Sequence, residues 1–190
     1  MWKDDLKKYY EINQTTKFRK FILCMQDQGL QGVLIYRFGN WLMKQKRIKR
    51  IFLKPFYIFF NHRIKAKWGI EIDPFATIGK GFMIFHYGGI FIGGEAVIGD
   101  NFTIGHNVTV GVAGKGPLRG VPVIGDNVTI SPGATVHGKI KIGNNVKIGA
   151  NAVVNKSVPD FALVQVPQMQ MVTFPSYYGA NSKQTDETKE

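Results

Sequence analysis

From Ile72 onward an aliphatic residue returns every six positions. It stands at Ile72, Ile78 and Ile84, then, after a slip at Ile90/Ile92, at Ile98, Ile104 and Val110, and again at Ile124, Ile130, Val136, Ile142, Ile148 and Val154. A fixed short period over this length is the signature of a solenoid, in which each repeat buries its apolar residue only by stacking on the next. The hexapeptides IGDNFT, IGHNVT, IGDNVT and IGNNVK are nearly the same unit. Their Gly, Asn and Asp positions suit tight corners with positive φ. Three such units close a triangular turn of about 18 residues, so about five coils fit between residues 72 and 160. The expected fold is therefore mainly β, a parallel β-helix. Between Val110 and Ile124 the spacing is 14, eight more than the period, so part of the segment VAGKGPLRGVPV must leave the coil as an extruded loop over 112–123.

The chain divides into a basic N-terminal helical region (1–67), the coil (68–172) and a polar, aperiodic tail (173–190) expected to be flexible. Apolar spacing in Phe18, Phe21, Ile22 and Met25, then Leu34, Ile35, Phe38, Trp41 and Leu42, predicts two or three helices. Gly29 and Gly32 are expected to loosen the first junction, and Pro55 to break or bend the last helix. An open coil needs its first edge covered, so these helices are expected to cap it. Residues 1–67 hold 16 Lys/Arg against 4 Asp/Glu, whereas the remainder holds 9 of each. Such a charge block reads either as a solvated face or as a surface for anionic lipid. The second reading rests on Lys44, Lys46, Arg47, Lys49, Arg50 and Lys54 lying beside Phe52, Phe56, Tyr57, Phe59 and Phe60. No nucleic-acid motif accompanies the charge, so no nucleic-acid partner is expected. The run at 51–60 is too short to span a bilayer. Cys24 is the only cysteine, which excludes an intrachain disulfide, and no cleavable leader is evident. A cytoplasmic protein is expected, with possible peripheral contact to the inner membrane face.

The repeats, the segment GKGFMIFHYGGIFIGGEAVIG and the stretch VTVGVAGKG resemble the serine acetyltransferase branch of the hexapeptide acyltransferases, and most closely those that acetylate bacterial exopolysaccharides such as colanic acid. The resemblance implies a left-handed coil, a homotrimer, and acetyl-CoA as cosubstrate in a groove between neighbouring coils. It implies His86 as general base and Glu71 as the acid that orients it. Gly111 and Val112 then match the backbone beside the thioester, with Gly114 and Lys115 in the adjoining loop. Ser131, Pro132 and Ala150 line the pantetheine groove. Where relatives often read VPA followed by a basic residue this chain has VPQMQMV, so contact to the 3′-phosphate is expected from elsewhere, Lys115, Lys147 or Lys156. No metal is implied. The serine enzymes carry an aspartate just before the histidine and an Arg-His pair in the loop. This chain has Phe85, Gly120 and Val121 there. The groups that would hold an amino acid are missing, so the expected acceptor is a saccharide hydroxyl, plausibly lipid-linked.

The repeat register gives an independent statement about the histidines. His86 and His106 each fall two places after a repeat start, and their separation of 20 equals one turn plus the slip. They are expected on one column, one rung apart, with Pro132 and Ala150 continuing it. A hydroxyl attacking a thioester needs a base that titrates near neutrality, which histidine supplies. His62 and His137 are read as surface or corner residues, and the Asn-x-Thr triplets at 101, 107 and 127 as structural corners. Serine O-acetyl transfer, a non-catalytic scaffold and a γ-type carbonic anhydrase stand as alternatives. The last needs three histidines about zinc, whereas the register puts His137 on another face.

Overall fold

In a computed structural model, which describes residues 1–12 and 26–167, three helices lead into a left-handed β-helix. Helices α1 (Trp2–Ile12), α2 (Gln28–Met43) and α3 (Arg47–Trp68) precede the coil. The first coil holds β1 (Ile70–Ile72), β2 (Thr77–Ile78) and β3 (Met83–Ile84), and the second holds β4 (Ile90–Ile92), β5 (Val97–Ile98) and β6 (Thr103–Ile104). The third holds β7 (Thr109–Gly111), β8 (Val123–Ile124) and β9 (Thr129–Ile130), and the fourth β10 (Thr135–His137), β11 (Lys141–Ile142) and β12 (Lys147–Ile148). A fifth, with β13 (Val153–Val154) and β14 (Leu163–Val164), closes the described chain. The strands pair in parallel as three flat faces, β1-β4-β7-β10-β13, β2-β5-β8-β11 and β3-β6-β9-β12-β14. Strands of two or three residues accumulate little twist, so the usual preference for right-handed crossovers, which arises from that twist, has little hold here.

The sixfold period is the core. Ile72, Ile92, Val110, Val136 and Val154 stack in register on the first face, and Ile78, Ile98, Ile124 and Ile142 on the second. Ile84, Ile104, Ile130 and Ile148 do so on the third, and all thirteen are buried. Phe82 and Phe102, stacked at 5.6 Å, fill one inner corner. The Asn-x-Thr corners are structural as expected: Asn101, Asn107 and Asn127 have φ near +55°. Asn101 Nδ2 donates to Asn127 Oδ1 (3.0 Å), and Asn127 Nδ2 to Asn145 Oδ1 (3.2 Å), so one corner is an amide ladder. Elsewhere Gly alternates with Asn, because a Cβ on Gly133 would collide with the amide of Asn151.

The helices cap the first coil, whose outer backbone groups have no preceding rung. Asp5 accepts from Phe82 N (2.8 Å), and the Tyr9 hydroxyl accepts from Ile84 N (2.8 Å) while donating to Ile84 O (3.1 Å). Tyr36 Oη donates to Ala76 O, Asn40 to Pro74 O and Ala76 O, and Arg37 to Ile78 O and Gly79 O. Arg37 and Asp5 pair at 2.7 Å with both side chains buried. Burial pushes the Tyr9 phenol well above its ordinary range and that of Tyr36 up to about 12, so both stay protonated and able to donate.

Three local expectations change. Gly29 and Gly32 lie inside α2 and do not loosen a junction: a Cβ on Gly29 would meet Ile84 O at 2.6 Å, so the glycines let the helix backbone rest on the coil. Pro55, an exposed residue, does not break α3, which runs on through it to Trp68, so of the two expected effects the break is not found. The two-residue slip sits not at Ile90/Ile92 but in the preceding corner, since Ile70 pairs with Ile90 as Ile72 does with Ile92. Helix α3 ends on Gly69 at φ +58°, and β1 begins at the next residue. A loop leaves the coil between β7 and β8, ending before the expected 123 because Val123 already pairs in β8: Ala113 and Gly120 exchange backbone bonds across its neck (3.0 Å each) and Arg119 pairs with Glu95. The tail 173–190, together with Phe18, Phe21, Ile22, Cys24 and Met25, lies outside the described residues.

Arg37→Met leaves a buried carboxylate without its cation and two first-coil carbonyls, of Ile78 and Gly79, without their donor. A loss of about 3–5 kcal/mol is expected, read from the urea midpoint. Gly29→Ala lifts α2 from Ile84 and is expected to cost about 1–3 kcal/mol, read in the same way.

Candidate functional site

The third face turns into the first through a corner that is short on most coils. It takes three residues at Gly105–Asn107, Ser131–Gly133 and Gly149–Asn151, with the last in the left-handed region each time. On the first coil the same corner takes five, Phe85–Gly89, and the backbone shows where the extra pair enters. Phe85 N donates to Ile104 O, whereas Asn107 N donates to Gly88 O, so two residues within 86–88 are displaced from the stack. His86 heads the displaced segment with φ +66°, where its neighbours on this edge use Gly or Asn. A left-handed backbone costs a residue with a Cβ about 1–2 kcal/mol, and such outliers concentrate where a side chain must be aimed.

The aim is outward. His86 is exposed, edge-on to Phe85 at 4.6 Å and to His106 at 6.0 Å between ring centroids. The two rings are neighbours as expected, but not on one column: Gly88 holds the corner position one rung before His106, since Asn107 N donates to Gly88 O as Gly133 N does to His106 O, and His86 reaches His106 from the displaced pair. His106 is half-buried, and its Nδ1 is shut from solvent without a hydrogen-bond partner among the described residues. Pro132 and Ala150 occupy the same corner position one and two coils further on, beside Ser131, and none projects a long side chain. Phe85 and Tyr87, each about half exposed, flank His86 in the chain, and the Phe85 ring lies against the imidazole; the Phe91 ring reaches the other end of the first face, 3.9 Å from where a Cβ on Gly111 would stand.

Glu71 stands on β1 with its carboxylate 2.6 Å from Lys65 Nζ, and among the described residues its hydrogen bond is to that lysine, not to His86. The His86 corner does fold back on this strand: a Cβ on Gly69 would lie 3.0 Å from Gly89 N. Both members of the ion pair are well exposed, so it is worth only about 0–1 kcal/mol and holds the carboxylate weakly.

The remaining expected site residues are not gathered at His86. Gly111 pairs with His137 at the far end of the first face, and Val112, Gly114 and Lys115 continue into the extruded loop. From His106 to Gly111 the chain crosses that face, up to about 16 Å at ~3.3 Å per residue. Lys156, two residues past β13, belongs to the same far edge, and Lys115, Lys147 and Lys156 are all exposed. One chain thus carries two half-sites on two edges of a prism. A cavity of about 600 Å³ lies elsewhere, on the cap, lined by Met1, Trp2, Leu34, Phe38, Trp41 and Lys44 among others. His137 is on a different edge from the His86/His106 pair, and among the described residues no three His, Cys, Asp or Glu are grouped to hold a metal ion.

Two contributors escaped the sequence reading. Lys65 sits six residues before Glu71 across the helix end at Gly69, and it becomes a neighbour only because that cap folds the chain back. Tyr9, which grips Ile84 two residues before His86, is 75 positions away and carried no local signal.

Comparison with known proteins places this geometry. The family model of the bacterial transferase hexapeptide, six repeats, matches residues 122–156. The serine acetyltransferase of Synechococcus elongatus is 36 % identical over 147 residues, covering 77 % of this chain and 57 % of that protein. The crystal structure of Neisseria gonorrhoeae serine acetyltransferase matches with a TM-score of 0.69 at 32 % identity, over 96 % of this chain and 69 % of that one. A serine acetyltransferase solved in complex with CoA matches with a TM-score of 0.68 at 28 % identity, over 86 % and 65 %. The chain spans about half the length of the curated relatives it matches. With the coil, the family model and these relatives in agreement, the chain belongs to the bacterial hexapeptide-repeat transferase family and is similar to its serine acetyltransferases.

Proposed function

We propose that this protein transfers an acetyl group from acetyl-CoA to a hydroxyl, with His86 as general base. The observation that carries the reading is the two-residue insertion that drives one histidine out of an otherwise regular corner at a backbone cost and leaves it open beside a second. The imidazole takes the hydroxyl proton as the oxygen attacks the thioester carbonyl. The tetrahedral intermediate then collapses, the C–S bond breaks, and the sulfur of CoA leaves as the thiol, taking the proton back from the imidazolium. The products are an acetyl ester and free CoA. Glu71, released from its exposed pair with Lys65, balances the imidazolium and fixes the ring's tautomer.

The donor needs both edges of the prism. Small residues at Ser131, Pro132 and Ala150 leave room for a thin pantetheine arm, while Gly111, Val112, Gly114, Lys115 and Lys156 lie on the other edge. A cyclic trimer sets the His86 edge of one copy against the loop edge of the next and so completes the site, with backbone N–H groups near Gly111 and Val112 facing the oxyanion.

For the acceptor we favour a saccharide hydroxyl of a bacterial envelope or capsule polymer. Phe85 and Tyr87 offer apolar platforms for a sugar ring, and the loop positions Gly120 and Val121 carry no charge to hold an amino acid. The second reading is L-serine, the acceptor that the names of the similar enzymes indicate.

Free thiol released from acetyl-CoA distinguishes the two readings. Turnover is expected with a saccharide acceptor, falling by about 10²–10⁴ in His86→Ala and less in Glu71→Gln. Turnover with serine alone would move the assignment to the second reading, and undiminished turnover in His86→Ala would remove the mechanism. Phe85→Ala with Tyr87→Ala is expected to raise KM for the sugar while leaving KM for acetyl-CoA unchanged.

A further inference from the structure

Helix α3 has two apolar faces, and only one is covered. Tyr57 and Ile64 are buried, with the Tyr57 ring 6.3 Å from that of Phe38 on α2. At 3.6 residues per turn the opposite side presents Ile48, Ile51, Phe52, Pro55 and Phe59 within an arc of roughly 100°. These side chains are not partly shielded: Phe52 is 73 % exposed, Ile48 71 %, Ile51 59 % and Phe59 58 %. Cations flank the stripe on both sides, Arg47, Lys54 and Lys65 along one border and Lys49, Arg63 and Lys67 along the other. Between Asp27 and Glu71 the sequence contains ten Lys/Arg and no acidic residue, and of the ten only Arg37 is buried.

We infer that α3 is an in-plane anchor for the surface of an anionic bilayer, its apolar stripe entering the headgroup boundary while the two cationic rows meet lipid phosphates. Charge complementarity selects this occupant. A second copy packed face to face on the same stripe would bring two acid-free cationic rows together, which is repulsive. A nucleic acid would use the cations but leave the aromatic stripe in water. Nor does the helix cross a membrane, since no helix of the described residues is long and apolar enough. The inference does not depend on the acetyl-transfer reading.

Co-sedimentation of the full chain with vesicles tests it. Binding is expected to vesicles of phosphatidylcholine mixed with phosphatidylglycerol, not to phosphatidylcholine alone, and it should weaken as salt rises. Two variants separate the parts: Phe52→Ser with Phe59→Ser, and Lys49→Glu with Arg63→Glu. Each is expected to weaken binding by at least about ten-fold with an unchanged circular dichroism spectrum, because all four side chains point away from the core. Equal binding to both vesicle types would overturn the inference, as would full binding by both variants. So would a change in oligomeric mass in the serine variant with vesicle binding intact, which would make the stripe a contact between copies. If one variant fails to fold, the other and the salt dependence of the unaltered chain still decide it.

Discussion

A parallel coil begins with an edge, and the whole molecule depends on how that edge is closed. Each later coil satisfies its backbone groups from the coil before it; the first cannot. The cap answers with side chains in place of a strand: Asp5 and Tyr9 from α1, and Tyr36, Arg37 and Asn40 from α2, each bonded to a first-coil N–H or C=O. Water is excluded there, so each bond counts at its buried value and each loss leaves an orphan. The Asp5–Arg37 pair is stable in this setting because both charges also bind backbone, which offsets the cost of drying them. Helix packing and coil formation are therefore one event, since neither surface is satisfied without the other.

Beyond the cap the structure is repetition, and the informative places are where repetition fails. The corner columns of Asn and Gly are set by backbone sign and by space for the amide on the next rung. The corner at Phe85–Gly89 keeps that chemistry at Gly88 and Gly89 but inserts His86 and Tyr87 before it. The loop between β7 and β8 departs at a different edge and is pinned back on the coil through Arg119 and Glu95. The two departures lie on different edges of one prism, the arrangement in which neighbouring copies in a ring meet with unlike halves.

The coil was legible residue by residue because every repeat contributes the same inward aliphatic, and an error in one hexapeptide is outvoted by the others. That His86 and His106 lie side by side on one edge followed from counting alone, although Gly88 holds the column position. The same counting put the slip in the wrong place: a spacing measures how many residues are inserted, and only the backbone bonds of Phe85 and Asn107 show between which residues they enter. Gly29 and Gly32 were misread for a related reason. A glycine that permits close approach and one that loosens a chain look alike until the opposing surface, here Ile84 and Ile70, is known. Lys65 beside Glu71 and Tyr9 beneath the histidine corner were beyond reach, since no local pattern links residues that meet only through the cap.

The five-residue corner adds two residues to the chain and nothing to the stack. Ile84 still pairs with Ile104 and Ile90 with Ile70, as they would with a three-residue turn. The scaffold is therefore indifferent to the segment that carries the histidine: it neither requires His86 and Tyr87 for its register nor holds them by burial. What keeps such residues in a sequence cannot be the folding of the coil, and the corner is free to change its chemistry at the pace of its substrate without asking the rest of the protein to move.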